Sequence, residues 1–202
     1  VDFELIPVTP RIPEDPEAAR AILDYEVLLS KELDQVIARS LVELDAIQAN
    51  NQSRETNLGS FVADIFREAG HAEIALLNGG TIRSNTIYGP GNLRKRDVLS
   101  ILPFENTITT LRMTGAQIHQ ALEHGLATVG MKADGRFPQV SGLRAEFDAR
   151  RAPGSRVVSI RVRGVHPSDP WEPIDRQRSY SVATNAYLAR GGDGYQVLTR
   201  VP

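Results

Sequence analysis

Apolar side chains between residues 17 and 40 recur at three- and four-residue steps, at Ile22, Tyr25, Leu29, Leu33 and Val36. That spacing makes one stripe on one face and predicts a helix over residues 17–40 packed against a neighbour. A polar stretch over 48–56 follows. A second amphipathic helix is predicted from Asn57, read as its cap, through Leu58, Phe61, Val62, Ile65 and Phe66 to a stop at Gly70. The short apolar run over 73–77 ends at Asn78-Gly79-Gly80, the pattern of a buried strand closing in a turn.

A short helix is expected over 97–101, ending before Pro103, and residues 107–113 are β-rich. Thr114-Gly115-Ala116-Gln117 has capping-box spacing and opens a helix to Gly125 through Ile118, Ala121 and Leu122. Leu143, Ala145 and Phe147 alternate, as do Val158, Ile160 and Val162, with Pro153-Gly154 between, which predicts a hairpin. A further strand is expected over 179–183, and a loop over 190–194 holds three glycines. Helices and strands mix without regular βαβ alternation. The expected class is α+β, a single domain with a mixed sheet flanked by helices and preceded by an N-terminal linker helix. Residues 1–16 carry Pro7, Pro10, Pro13 and Pro16 and read as an extended linker. Residues 17–45 read as a connecting helical segment and 46–202 as the domain.

Composition narrows the classes. With 202 residues, 41% hydrophobic and 24% charged, the chain has the make-up of a globular domain. The longest stretch without Asp, Glu, Lys or Arg, residues 179–189, is too short to span a bilayer as a helix. A net charge of −2 speaks against nucleic acid as a partner, despite Arg94-Lys95-Arg96. There are no cysteines, so disulfides, thiolate metal sites and cysteine nucleophiles are excluded. The chain opens at Val1 without an initiator Met or signal peptide and reads as a segment of something larger.

Three clusters carry candidate chemistry. In Asn78-Gly79-Gly80-Thr81-Ile82-Arg83, two glycines permit close backbone approach and can turn successive N–H groups toward an anion. Arg83 adds a five-donor fork suited to phosphate or carboxylate, and Asn78 both a donor and an acceptor. In Leu102-Pro103-Phe104-Glu105-Asn106, a proline precedes an aromatic ring able to stack on a base, although core packing is the commoner fate of such a Phe. Residues 184–195 join a strand to a glycine-rich loop with Tyr187, Arg190, Gly192, Asp193 and Tyr195, where Asp193 can accept hydrogen bonds from sugar hydroxyls or a base edge. His71, His119, His124 and His166 show no metal spacing, and His124 reads as a charge-compatible helix end. The residues offer binding groups without a catalytic engine: no catalytic and no metal-ligating residue is assigned in this chain.

Taken in order, Glu55-Thr56-Asn57-Leu58-Gly59, the Asn78 to Arg83 motif, Leu102-Pro103-Phe104, Thr114-Gly115 and Tyr187 to Tyr195 resemble the C-terminal domain of the 5′-nucleotidase and UDP-sugar hydrolase family. The resemblance runs from about Gln52 to the end. It implies the substrate-recognition half of a phosphohydrolase whose two divalent metal ions sit in a separate N-terminal metallophosphatase domain, the expected partner. By position it implies that Arg83, with Arg54 as a second cation, binds phosphate. Phe104 and Tyr187 would sandwich the base, Asn78 would contact phosphate or ribose, and Asp193 the nucleoside, with Gly80 and Gly192 in the adjoining loops. The linker helix would lie near an interdomain hinge, and family habit implies export. Tyr187 departs from the Phe of many relatives, and Arg190 from a small polar residue. The other readings are the same role in a 2′,3′-cyclic or 3′-nucleotide hydrolase or a thiosulfohydrolase, or a module binding nucleosides or sugars, or dimerising, without turnover.

Overall fold

The apolar run after Gly70 forms a strand, Ile74–Asn78, with all five residues buried, as a strand covered on both faces requires. The computed structural model describes residues 5–7, 9–164, 166 and 168–201. In chain order its elements are α1 (Pro16–Leu33), β1 (Val36–Ser40), β2 (Leu44–Asp45), α2 (Gln48–Asn51), α3 (Asn57–Ala69) and β3 (Ile74–Asn78). Then come β4 (Ile87–Tyr88), β5 (Gly91–Arg94), α4 (Lys95–Ile101), β6 (Ile108–Thr114) and α5 (Gly115–Gly125). The rest are β7 (Pro138–Ser141), β8 (Leu143–Phe147), β9 (Val157–Arg163), β10 (Trp171–Pro173), β11 (Ser179–Asn185) and α6 (Ala186–Ala189).

The central sheet has the order β6-β11-β3-β7, with β11 and β3 parallel and the other pairs antiparallel. Alternation along its strands feeds two cores. Ile74, Leu76, Met113 and Val182 pack with Ile118, Ala121 and Leu122 of α5. Ala75, Leu77 and Ala183 pack with Leu58, Val62 and Ala63 of α3 on the opposite face. Burying a leucine such as Leu76 or Leu77 contributes about 1.5–3 kcal/mol over leaving it exposed, so β3 ties both layers to one strand. A second sheet, β10-β9-β8, is antiparallel, and the ribbons β1-β5 and β2-β4 complete the structure. This is the expected α+β domain with a mixed sheet.

The capping box at Thr114 forms, with Gln117 N–H donating to Thr114 Oγ1 and Thr114 N–H to Gln117 Oε1, and α5 ends at Gly125. The hairpin forms as β8 and β9. Four expectations need correction. The first helix stops at Leu33, and residues 36–40 are a strand paired with β5, so the connecting segment is not helical throughout. The adjacent β-branched pair Val36-Ile37 suits a strand better than a helix. Nor does the α1 stripe pack into a core: no α1 residue is buried, and ion pairs Glu32–Lys95 and Asp34–Arg96 fasten its end near α4. The cap of α3 is Thr56, whose hydroxyl accepts from Gly59 N–H at 2.9 Å, while Phe61 and Ile65 stay exposed. On β9 the register slips opposite Glu146 and Phe147, a bulge that turns Val157 inward and leaves Val158 51% exposed.

Candidate functional site

The parallel strands β3 and β11 end side by side at Asn78 and Asn185, and each leads into a loop. Ligands in sheets of this kind sit outside the carboxyl ends of such strands. Here a buried polar network backs that position. Asn185 Nδ2 donates to Asn78 Oδ1 at 3.0 Å and to Thr81 Oγ1 at 3.1 Å, and Thr81 Oγ1 donates to Asn78 Oδ1 at 2.6 Å. The Asn185 side-chain oxygen accepts Leu188 N–H at 2.8 Å, capping α6. Asn78 Nδ2 then reaches across the loops to Asp193 Oδ2 at 2.8 Å. With its partners satisfied, such a network fixes side-chain directions rather than leaving them to fluctuate.

Above it lies a cleft of about 560 Å³ lined by Asn78, Gly80, Thr81, Arg83, Phe104, Tyr187 and Asp193, together with Glu105, Arg190 and Gly135. Its size falls within the range of small-molecule sites. Phe104 and Tyr187 are 48% and 42% exposed, unusual for rings and available to a stacking partner. The Arg83 guanidinium lies 5.3 Å from the Phe104 ring centroid. Its Nη1 donates weakly to Gln48 Oε1 at 3.4 Å, and its Nε is buried without a hydrogen-bond partner among the described residues. A guanidinium at a cleft wall favours an anion such as phosphate.

The glycine-rich loop supplies the other wall. Asp193 holds a left-handed conformation (φ 50°) between Gly191 and Gly194, both also at positive φ. The Tyr187 hydroxyl donates to Asp193 Oδ1 at 2.7 Å and accepts Asp193 N–H at 3.1 Å. Donating to the carboxylate pushes the phenol above its ordinary range. Gly192 lies against the Tyr187 ring, where a Cβ would come within 2.5 Å of ring carbons. The Asp193 carbonyl is bonded to His124 Nε2 at 2.8 Å.

The structure thus brings Asn78, Gly80, Arg83, Phe104, Tyr187 and Asp193 together, with Gly192 behind the Tyr187 ring. It does not bring Arg54 to the cleft: that side chain pairs with Asp45 at 3.2 Å and is 62% exposed. The N–H groups of the Gly79-Gly80 turn do not form an anion cradle either. They donate to Phe137 O at 2.7 Å and Gly135 O at 2.8 Å. The glycines are required for close packing instead, since a Cβ on Gly79 would lie 2.0 Å from Asn51 O. His124 is more than a helix end, because it anchors the Asp193 loop. Gln48, Gly135 and the inward role of Asn185 were not singled out from sequence. Only Asn185 carried a signal, an Asn at a strand-to-helix junction. Among the described residues no group of three or more His, Asp or Glu side chains is placed to hold a metal ion, and no helix is long and apolar enough to cross a membrane.

Comparison with known proteins bears on the family and the fold. The family model described as 5′-nucleotidase, C-terminal domain matches residues 36–200. The chain is 34% identical to the trifunctional nucleotide phosphoesterase protein YfkN of Bacillus subtilis, over 98% of the chain and 14% of that protein. It is 30% identical to the snake venom 5′-nucleotidase of Macrovipera lebetinus, over 93% of the chain and 49% of that protein. The crystal structure of the 5′-nucleotidase precursor from Thermus thermophilus aligns with a TM-score of 0.82 at 37% identity, covering 93% of this chain and 36% of that one. The chain therefore spans less than half the length of each of these relatives. With the ordered motifs, the mixed sheet and the matched span in agreement, the chain belongs to the 5′-nucleotidase C-terminal domain family.

Proposed function

We propose that this chain is the substrate-recognition domain of a metal-dependent phosphohydrolase of the 5′-nucleotidase type. The observation that supports the reading best is the gathering of the Arg83 guanidinium, two exposed rings and the hydrogen-bonded Asp193 carboxylate in a single cleft. Arg83 takes the phosphate, because a guanidinium fork matches its oxygens and offsets its charge. Phe104 and Tyr187 hold the base through its π-face, which every base presents. Asp193, an acceptor, takes sugar hydroxyls, and Asn78 holds that carboxylate or meets ribose and phosphate. The relatives' names, a nucleotide phosphoesterase and 5′-nucleotidases, are in line with such a substrate. A relative named from venom favours export.

In this reading two divalent metal ions would be held by a further, N-terminal domain and would supply an activated water for the phosphate ester. The residues of this chain bind and orient the nucleotide, and the chain by itself is inactive. The test is Arg83→Ala in the protein that carries both domains. kcat/KM for nucleoside monophosphates should fall about 10- to 100-fold, the loss of one charge-assisted contact. Unchanged kinetics would overturn the reading. A panel including 2′,3′-cyclic and 3′-nucleotides shows which ester the protein accepts.

A further inference from the structure

Asp193 and the Tyr187 phenol are joined by two hydrogen bonds, one from the phenol to Oδ1 and one from the Asp193 backbone N–H to the phenol oxygen. A phenylalanine at 187 would fill the same space and make neither. Asn78 Nδ2 occupies Oδ2, so each carboxylate oxygen already carries one donor. A carboxylate has about four lone-pair sites, which leaves one on each oxygen for a ligand. The ring cannot slide away from this pairing, because Gly192 lies against it and the Asp193 backbone is held by His124.

We infer that the Tyr187 hydroxyl is a specificity-determining group: it positions the Asp193 carboxylate so that a vicinal pair of sugar hydroxyls is recognised, and it couples that recognition to the stacking ring. This deepens the proposed function and rests on it. An acceptor held between two donors presents its remaining lone pairs in one direction, so a ribose need not order it on binding. Without the hydroxyl the carboxylate keeps, among the described residues, only the Asn78 donor and turns about its side-chain bonds. The ring itself, backed by Gly192, still stacks. The hydroxyl therefore contributes to recognition of the sugar, whereas the ring contributes to recognition of the base.

The experiment compares adenosine with 2′,3′-dideoxyadenosine by titration calorimetry, in the native chain and in Tyr187→Phe. The native chain should prefer adenosine. In Tyr187→Phe that preference should shrink roughly three- to tenfold, about one net hydrogen bond, while dideoxyadenosine affinity changes less than about twofold. An unchanged preference, or an equal loss for both ligands, would overturn the inference and leave the proposed function standing. Failure of the native chain to bind either nucleoside would overturn both. A ligand-free readout stands beside it: NMR of Cζ-labelled tyrosine, assigned with Tyr187→Phe. Tyr187 should ionise above the ordinary range in the native chain and return toward it in Asp193→Ala. A Tyr187 titration that ignores Asp193→Ala would show that the pairing is absent and overturn the inference.

Discussion

At the scale of single residues, the chain separates polar groups that hold structure from polar groups held ready. Arg156 and Glu123 are buried and hydrogen-bonded: Glu123 accepts the N–H groups of Arg156 and Val157, and Arg156 Nη1 donates to Val129 O at 2.8 Å. Arg83, by contrast, lines the cleft, and its Nη1 makes only a long contact to Gln48 Oε1 at 3.4 Å among the described residues. His119, half-buried beside Glu123, gives a pH signature. Burial holds its imidazole below the ordinary histidine range, Arg176 pushes the same way, and Glu123 opposes both. The folded chain thus binds this proton less tightly than the unfolded one. As pH falls below about 6.5, the unfolded chain protonates first and stability drops; it is regained as pH rises back through that window. The melting temperature should therefore fall between pH 7 and pH 5 by more in the native chain than in His119→Gln. Parallel losses in the two would contradict the assignment.

At the scale of elements, the bulge in β9 decides which valine supports the core. Val157 packs with Ile160 and Val162, and Val158 faces solvent. Val158→Lys should change stability by no more than about 0.5 kcal/mol, the usual range for an exposed site. Val157→Lys should unfold much of the population, since burying an unpaired ammonium costs several kcal/mol. Denaturant melts of the two variants check this, and equal costs would place the bulge elsewhere. Alternation in the sequence predicted the hairpin but pointed Val158 inward, because a one-residue bulge resets a period-two pattern without altering composition. The α5 capping box was legible because both of its bonds lie within four residues. The end of α1 was not: periodicity through Val36 continued past the point where pairing with β5, more than fifty residues away, favoured a strand.

At the scale of the whole molecule, the site is a product of topology. Two parallel strands carry Asn78 and Asn185 to one end of the sheet. The loops that follow set Arg83 beside Phe104 and Tyr187 beside Asp193. The chemistry-bearing residues were legible because their types are scarce and clustered in three short motifs. What held them was less so. Gln48 against Arg83, Gly135 against Gly80 and His124 against Asp193 are pairings between distant segments, and no local spacing encodes them. The same limit applies to Arg54, whose direction is set by Asp45. The most direct test of the account is a metal-free calorimetric titration of this chain with AMP and adenosine, repeated on Phe104→Ala. Both should bind the native chain, AMP more tightly if Arg83 takes its phosphate. Phe104→Ala should weaken both by about 1–3 kcal/mol, the worth of one base–aromatic stack. Absence of binding up to millimolar ligand, or binding indifferent to Phe104→Ala, would contradict it.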